Sequence, residues 1–168
     1  MKDFMLIANR TLKLYTLLVL ILSAQDLIGQ ESIYVQITPE KSIKQVGEEF
    51  EFFIQVETNE IPLSAAQLSL TFDPDFIEVI SIELSQDSPL ENLLPGKKID
   101  NTSGTILIGS FSISPVNAGF EYAIIRAFAK SKGNSVLEFA SGDRTGTQLS
   151  YKGKTIDIIC EGAFIAVK

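Results

Sequence analysis

The chain is 168 residues long, with 14 Lys/Arg against 21 Asp/Glu, one cysteine, no tryptophan and no histidine. One cysteine excludes an internal disulfide, and the lack of histidine removes the commonest general base, the commonest metal ligand and every His-dependent triad. The acid excess argues against nucleic acid or an anionic lipid surface as a partner.

In chain order, the first 30 residues stand apart. Arg10 and Lys13 precede the uncharged run LYTLLVLIL, Leu14–Leu22, and small or polar residues follow in SAQDLIGQ. A basic flank, a short apolar centre and a mild exit have the form of a secretory signal peptide. The nine apolar residues fall short of the roughly 20 that cross a bilayer. Residues 1–30 are therefore expected to be removed, with the new N-terminus between Gln25 and Ser32, leaving no stable membrane insertion and a secreted or cell-envelope protein. An uncleaved anchor is the competing reading, because FMLIA upstream adds apolar length. Taking the leader's Lys2, Arg10, Lys13, Asp3 and Asp26 from the totals leaves a net charge of −8 on residues 31–168. That length suits one domain with one core.

Residues 31–168 alternate with period two, as strands with one dry and one wet side do. SIYVQIT puts Ile33, Val35 and Ile37 on one side. EFEFFIQVE does the same with Phe50, Phe52, Ile54 and Val56. AAQLSLTF sets Ala66, Leu68, Leu70 and Phe72 against Ala65, Gln67, Ser69 and Thr71. FIEVISIEL, GTILIGSF, EYAIIRAFAK, SVLEFAS and GAFIAVK read as further strands, and a short one is expected near Lys97–Asp100. Turn residues separate them: Gly47, Asp73-Pro74, Gly104, Gly119, Gly133-Asn134 and Gly153. About nine strands at this spacing predict an all-β fold, a two-sheet antiparallel β-sandwich with jelly-roll-like topology.

Several residues invite chemistry. Pro74 must end a strand ladder, and Asp73 can fold back on the turn. Asp73 and Asp75 are too few oxygen ligands to make a calcium site the leading reading, and no metal or other cofactor is expected. Carboxylates at Glu48, Glu49, Asp73, Asp75, Asp143 and Glu161 sit at turns or outward positions, where solvation is the expected role and an enzyme is not. Cys160 in IDIIC reads as a buried structural thiol. EYAIIRAFAK is apolar on both sides. Tyr122, Ile124 and Phe128, with Arg126 among them, make one side an alternative contact patch.

The order of segments resembles the cohesin domain of bacterial cellulosome scaffolds. VQITPEKSIKQVGEEFEFFIQVE is similar to that family's first two strands. LSAAQLSLTFDPDFIEVISIEL is similar to its strand, Asp-Pro and strand. AIIRAFAKSKGNSVLEF resembles a later strand, its Gly turn and the strand after it, and GAFIAVK resembles the closing strand. The likeness runs from residue 33 to 168. It implies a non-catalytic module that captures a secreted, dockerin-bearing protein in polysaccharide degradation. It also implies that the first strand (Ile33–Ile37) and the last (Ala163–Val167) lie side by side in one sheet. In type I members the contact is the outer face of the sheet that holds the strand ending at Asp-Pro. Here that face is Ala65, Gln67, Ser69 and Thr71, with Glu138 on a neighbouring strand; the family often has Asn and Asp where this chain has Ala65 and Gln67. Two other readings stand beside this one. The first is a carbohydrate-binding module with a polysaccharide as partner, for which Tyr34, Tyr122 and Tyr151 are the only tyrosines after the leader. The second is a structural envelope protein with no glycan role.

Overall fold

The alternation becomes strands almost residue for residue. The computed structural model describes residues 32–142 and 145–168, so the expected leader and Asp143 lie outside the described residues. In chain order the strands are β1 (Ile33–Thr38), β2 (Lys41–Lys44), β3 (Glu49–Glu57), β4 (Leu63–Thr71), β5 (Ile77–Leu84), β6 (Asn92–Leu93) and β7 (Lys98–Asp100). They continue with β8 (Thr105–Val116), β9 (Phe120–Ala129), β10 (Gly133–Phe139), β11 (Gln148–Tyr151), β12 (Lys154–Ile156), β13 (Ile158–Glu161) and β14 (Ala163–Val167). Among the described residues there is no helix.

The strands form two sheets. The smaller has the order β13-β1-β3-β9-β5. In the larger, β8 runs along one side of β4 and carries β6 and β7 on its far edge. β10 and β11 share the other side of β4. β12 flanks β11, and β10 continues to β14 and β2. Phe50, Phe52, Ile54 and Val56 from one sheet and Ala66, Leu68 and Leu70 from the other are buried in the core between them. Phe50 and Phe52 meet edge to face, 5.4 Å between centroids, a favoured aromatic arrangement.

Two of the strands beyond the expected nine, β2 and β13, share one physical reason. The N-terminal and C-terminal stretches each break at a corner and change sheet. Pro39, which has no N–H to give a ladder, separates β1 from β2. Gly162 separates β13 from β14, and a Cβ there would run into the Leu137 carbonyl oxygen. β1 pairs with β13 and β2 with β14, both in parallel, in a sandwich that is otherwise antiparallel. The expected pairing of the first strand with Ala163–Val167 is therefore corrected. β1 lies beside β13 in the smaller sheet, whereas β14 lies between β10 and β2 in the larger.

The Asp-Pro corner is built as the residues suggest. The Asp73 carboxylate accepts the Asp75 N–H at 3.0 Å, and the Asp73 carbonyl accepts the N–H groups of Phe76 and Ile77, each at 3.3 Å. Phe72 and Ile77 anchor either side in the core. The open edge of β5 is closed by Asn101, whose side chain accepts the Val79 N–H and donates to the Val79 carbonyl, both at 2.9 Å. Pairing one strand residue to an amide side chain blunts an edge that would otherwise invite another strand.

Two expectations about side-chain direction are overturned. Tyr122 is buried, not part of an outward patch. The β3–β9 register steps from Ile54↔Ala123 to Gln55↔Glu121, so Tyr122 is the extra residue of a β-bulge and faces inward together with Ala123. Its hydroxyl crosses the core. It accepts from Ser110 Oγ at 3.1 Å and donates to the Ala66 carbonyl at 3.4 Å. Cys160 is exposed, not buried, because β13 is an edge strand.

Candidate binding face

The outer side of β10, β4 and β8 carries the residues that alternation placed there. In β4, Ala66, Leu68 and Leu70 are buried, Ala65, Gln67 and Ser69 are half-buried, and Thr71 is exposed. Cross-strand pairing fixes their neighbours. Thr71 lies between Thr105 and Glu138, which is exposed; Ser69 lies opposite Leu107, and Ala65 opposite Phe111. The five expected residues thus share one face. They are not equally open, however. The chain between β10 and β11 leaves the sheet at Ala140 and returns at Thr147, whose N–H bonds the Ala140 carbonyl at 2.8 Å. Thr147 Oγ1 accepts the Ser69 N–H at 3.2 Å and donates to the Ser69 carbonyl at 2.9 Å, standing in for a missing strand residue. Gln67 donates its amide to the Gly146 carbonyl at 3.1 Å. Gln67 and Ser69 therefore hold this loop, while Thr71 and Glu138 stay accessible. Ser69, Thr71, Leu107 and Ser141 are among the residues lining a cavity of about 320 Å³ beside them.

The face also carries apolar side chains that sequence reasoning missed. Phe111 on β8, Val136 on β10 and Phe164 on β14 are each about two-fifths exposed, and Ile113 is 90% exposed. Ile113 stands out because β8 outruns β4. The register jumps from Ala65↔Phe111 to Leu63↔Val116, so residues 112–115 bulge against Ser64 alone. A signal existed. GTILIGSF reads as a strand, and period two puts Leu107 and Phe111 on the side opposite Ile106 and Ile108.

The alternative patch lies on the other sheet and is smaller than expected, since Tyr122 has left it. Ile124 and Phe128 are half-buried. Ile124 sits between Phe53 and Glu83, and Phe128 between Glu49 and Glu78. Arg126 is exposed and its Nε bonds Glu51 at 2.8 Å. The three tyrosines do not gather: Tyr34 is on β1, Tyr151 ends β11, and Tyr122 is in the core. Among the described residues no three acidic, histidine or cysteine groups stand close enough to hold a metal ion.

Burial pushes the Tyr122 hydroxyl up to about 12, against a smaller opposing effect of Ser110. Desolvation raises the Cys160 thiol to about 11 even though the residue is exposed at its edge. Asp100 is held well below the carboxylate range by the Ser103 N–H, then by Lys98 and the Thr102 N–H. The Gln45 N–H and the Lys44 ammonium lower Glu48.

A two-sheet sandwich with these crossovers is the cohesin fold, and the solved structures it resembles are cohesins. It superposes on a chain of a type I cohesin–dockerin complex from Clostridium thermocellum with a TM-score of 0.65 at 15% identity, covering 82% of this chain and 94% of that one. A type II cohesin from the cellulosome of Acetivibrio cellulolyticus gives 0.65 at 18% identity, over 80% and 95% of the two chains. A non-cellulosomal cohesin from the archaeon Archaeoglobus fulgidus gives 0.61 at 13% identity, over 82% and 91%. No protein-family model and no curated protein matches the sequence.

Proposed function

We propose that this protein is a secreted, non-catalytic binding module that captures a second protein, of the dockerin-bearing kind, on the outer face of its larger sheet. The observation that carries the reading is the composition of that face. Exposed Phe111, Val136 and Phe164 flank a strip of small polar groups ending in Thr71 and Glu138. Apolar anchors around a flat polar strip suit a packed protein partner, since short side chains on a sheet lose little freedom on binding. The resemblance supports the partner class, because several of the matched structures are cohesin–dockerin complexes. The leader supports export, and the family likeness supports a setting of polysaccharide degradation.

Calorimetry of the full chain against type I and type II dockerins tests this. Thr71→Arg should weaken binding at least about tenfold and leave stability within about 0.5 kcal/mol, because Thr71 is exposed. Phe128→Ser, on the other sheet, should leave affinity unchanged. The reverse pattern would move the site to the smaller sheet.

A further inference from the structure

Beside the binding face, β10 and β14 line an open, shallow groove of about 500 Å³. Val136 and Phe164 are cross-strand partners and form its apolar wall. Gly162 and Ala163 lie at its base, where the absence of a side chain on Gly162 lets β10 approach closely. Its rim is acidic. Glu138 stands two residues along β10 from Val136, on the same side of the sheet. Glu161 and Glu40 come from the two corners at which the chain changes sheet. Those corners are neighbours because β1–β13 and β2–β14 pair in parallel: Glu161 lies opposite Gln36, Phe164 opposite Lys41, and the Phe164 N–H bonds the Glu40 carbonyl at 2.8 Å.

Elsewhere in the fold four carboxylates are held in ion pairs: Glu48, Glu51, Glu83 and Asp100 each have a lysine or arginine partner. Among the described residues Glu40, Glu138 and Glu161 have none, and Lys41 is the one cation lining the groove. Three carboxylates held around an exposed phenyl ring and a valine are complementary to a side chain with an apolar stem and a cationic head. An arginine fits best. Its methylenes would lie along Val136, its guanidinium would stack on Phe164, and its fork would reach the carboxylates. The acidic rim does not converge tightly enough to serve as a metal site.

We infer that this groove is the specificity pocket of the module: it takes an arginine, or less well a lysine, from the protein that docks on the adjoining face. The inference rests on the proposed protein-binding role of that face and adds the chemistry of the partner. The charge of −8 on residues 31–168 would also speed encounter with a basic partner.

The test is a displayed library of two-helix dockerin scaffolds, randomised at exposed helix positions and selected on the full chain. Selected binders should share an arginine or lysine at one position. Replacing that residue by glutamine should cost at least about tenfold in affinity, and the double variant Glu138→Gln/Glu161→Gln should cost as much. Glu83→Gln, remote from the groove, should cost nothing, and affinity should fall with added salt. Binders with no shared basic residue, unaffected by the double variant but lost with Thr71→Arg, would overturn the pocket and leave the binding face standing. Binders lost with Phe128→Ser and indifferent to Thr71→Arg would overturn both. So would a library that yields no binders.

Discussion

Tyr122→Phe probes a hydrogen-bonded link that crosses the core. The substitution removes a hydroxyl and leaves Ser110 Oγ, fully buried, without its acceptor at 3.1 Å. A buried donor left unsatisfied costs about 1–3 kcal/mol, so the variant should be less stable by that amount near neutrality. Alkaline pH reverses the comparison. Tyr122 titrates near 12 in the folded protein and near 10 when unfolded. Its contribution is therefore complete below about pH 10 and is lost as pH rises towards 12, at about 1.4 kcal/mol per pH unit. The wild type should forfeit about 2–3 kcal/mol across that window, whereas the phenylalanine variant forfeits nothing from this position. The two stability curves should meet near pH 11, which urea denaturation between about pH 8 and 11.5 would show. Cys160 releases its proton in the same range, so both proteins should carry Cys160→Ser. Curves that stay parallel up to about pH 11.5 would refute the placement of the Tyr122 hydroxyl in a dry core.

Three further outcomes are expected. Gly162→Ala should destabilise the domain by about 1–3 kcal/mol in thermal melts, because its Cβ meets the Leu137 carbonyl oxygen, a backbone atom that cannot swing aside. Asn101→Ala should cost about 1–3 kcal/mol and raise hydrogen exchange at the Val79 amide, which loses its acceptor at 2.9 Å. Asp100, held below its ordinary value of 3.8, contributes stability that is present above that pH and lost on further acidification; Asp100→Asn should flatten the acid limb of the melting temperature.

Which parts of this were legible in the residues follows from how local the cause is. Alternation is a local property, so β3, β4 and β9 and the buried sides of β3 and β4 could be read directly. The Asp73-Pro74 corner was legible for the same reason, since its hydrogen bonds join residues two to four apart. Tyr122 was misplaced because a bulge changes the period by one residue, and nothing in EYAIIRAFAK marks where. The partner of Ala163–Val167 was misassigned because Pro39 and Gly162 act together, more than a hundred residues apart in sequence. Ala65, Gln67, Ser69, Thr71 and Glu138 fell on one face as expected, yet the loop that engages Gln67 and Ser69 depends on Thr147 standing in for a strand residue. The groove beside Phe164 was not legible at all, because it needs the register of β10 against β14 and the meeting of two corners.

The parallel pairing of the two ends has a mechanical consequence. The described chain enters along β1 and leaves at the end of β14, with four register pairs joining β1 to β13 and four joining β2 to β14. A tether drawing Ser32 and Lys168 apart would slide these strands past each other along their length. The cross-strand bonds would then bear the load together in shear, not break one after another as in a hairpin peeled from its open end. Tension applied between those two points would thus be carried in shear across both parallel pairings. The candidate binding face also takes in β4 and β8, which this line of force reaches through β14 and β10.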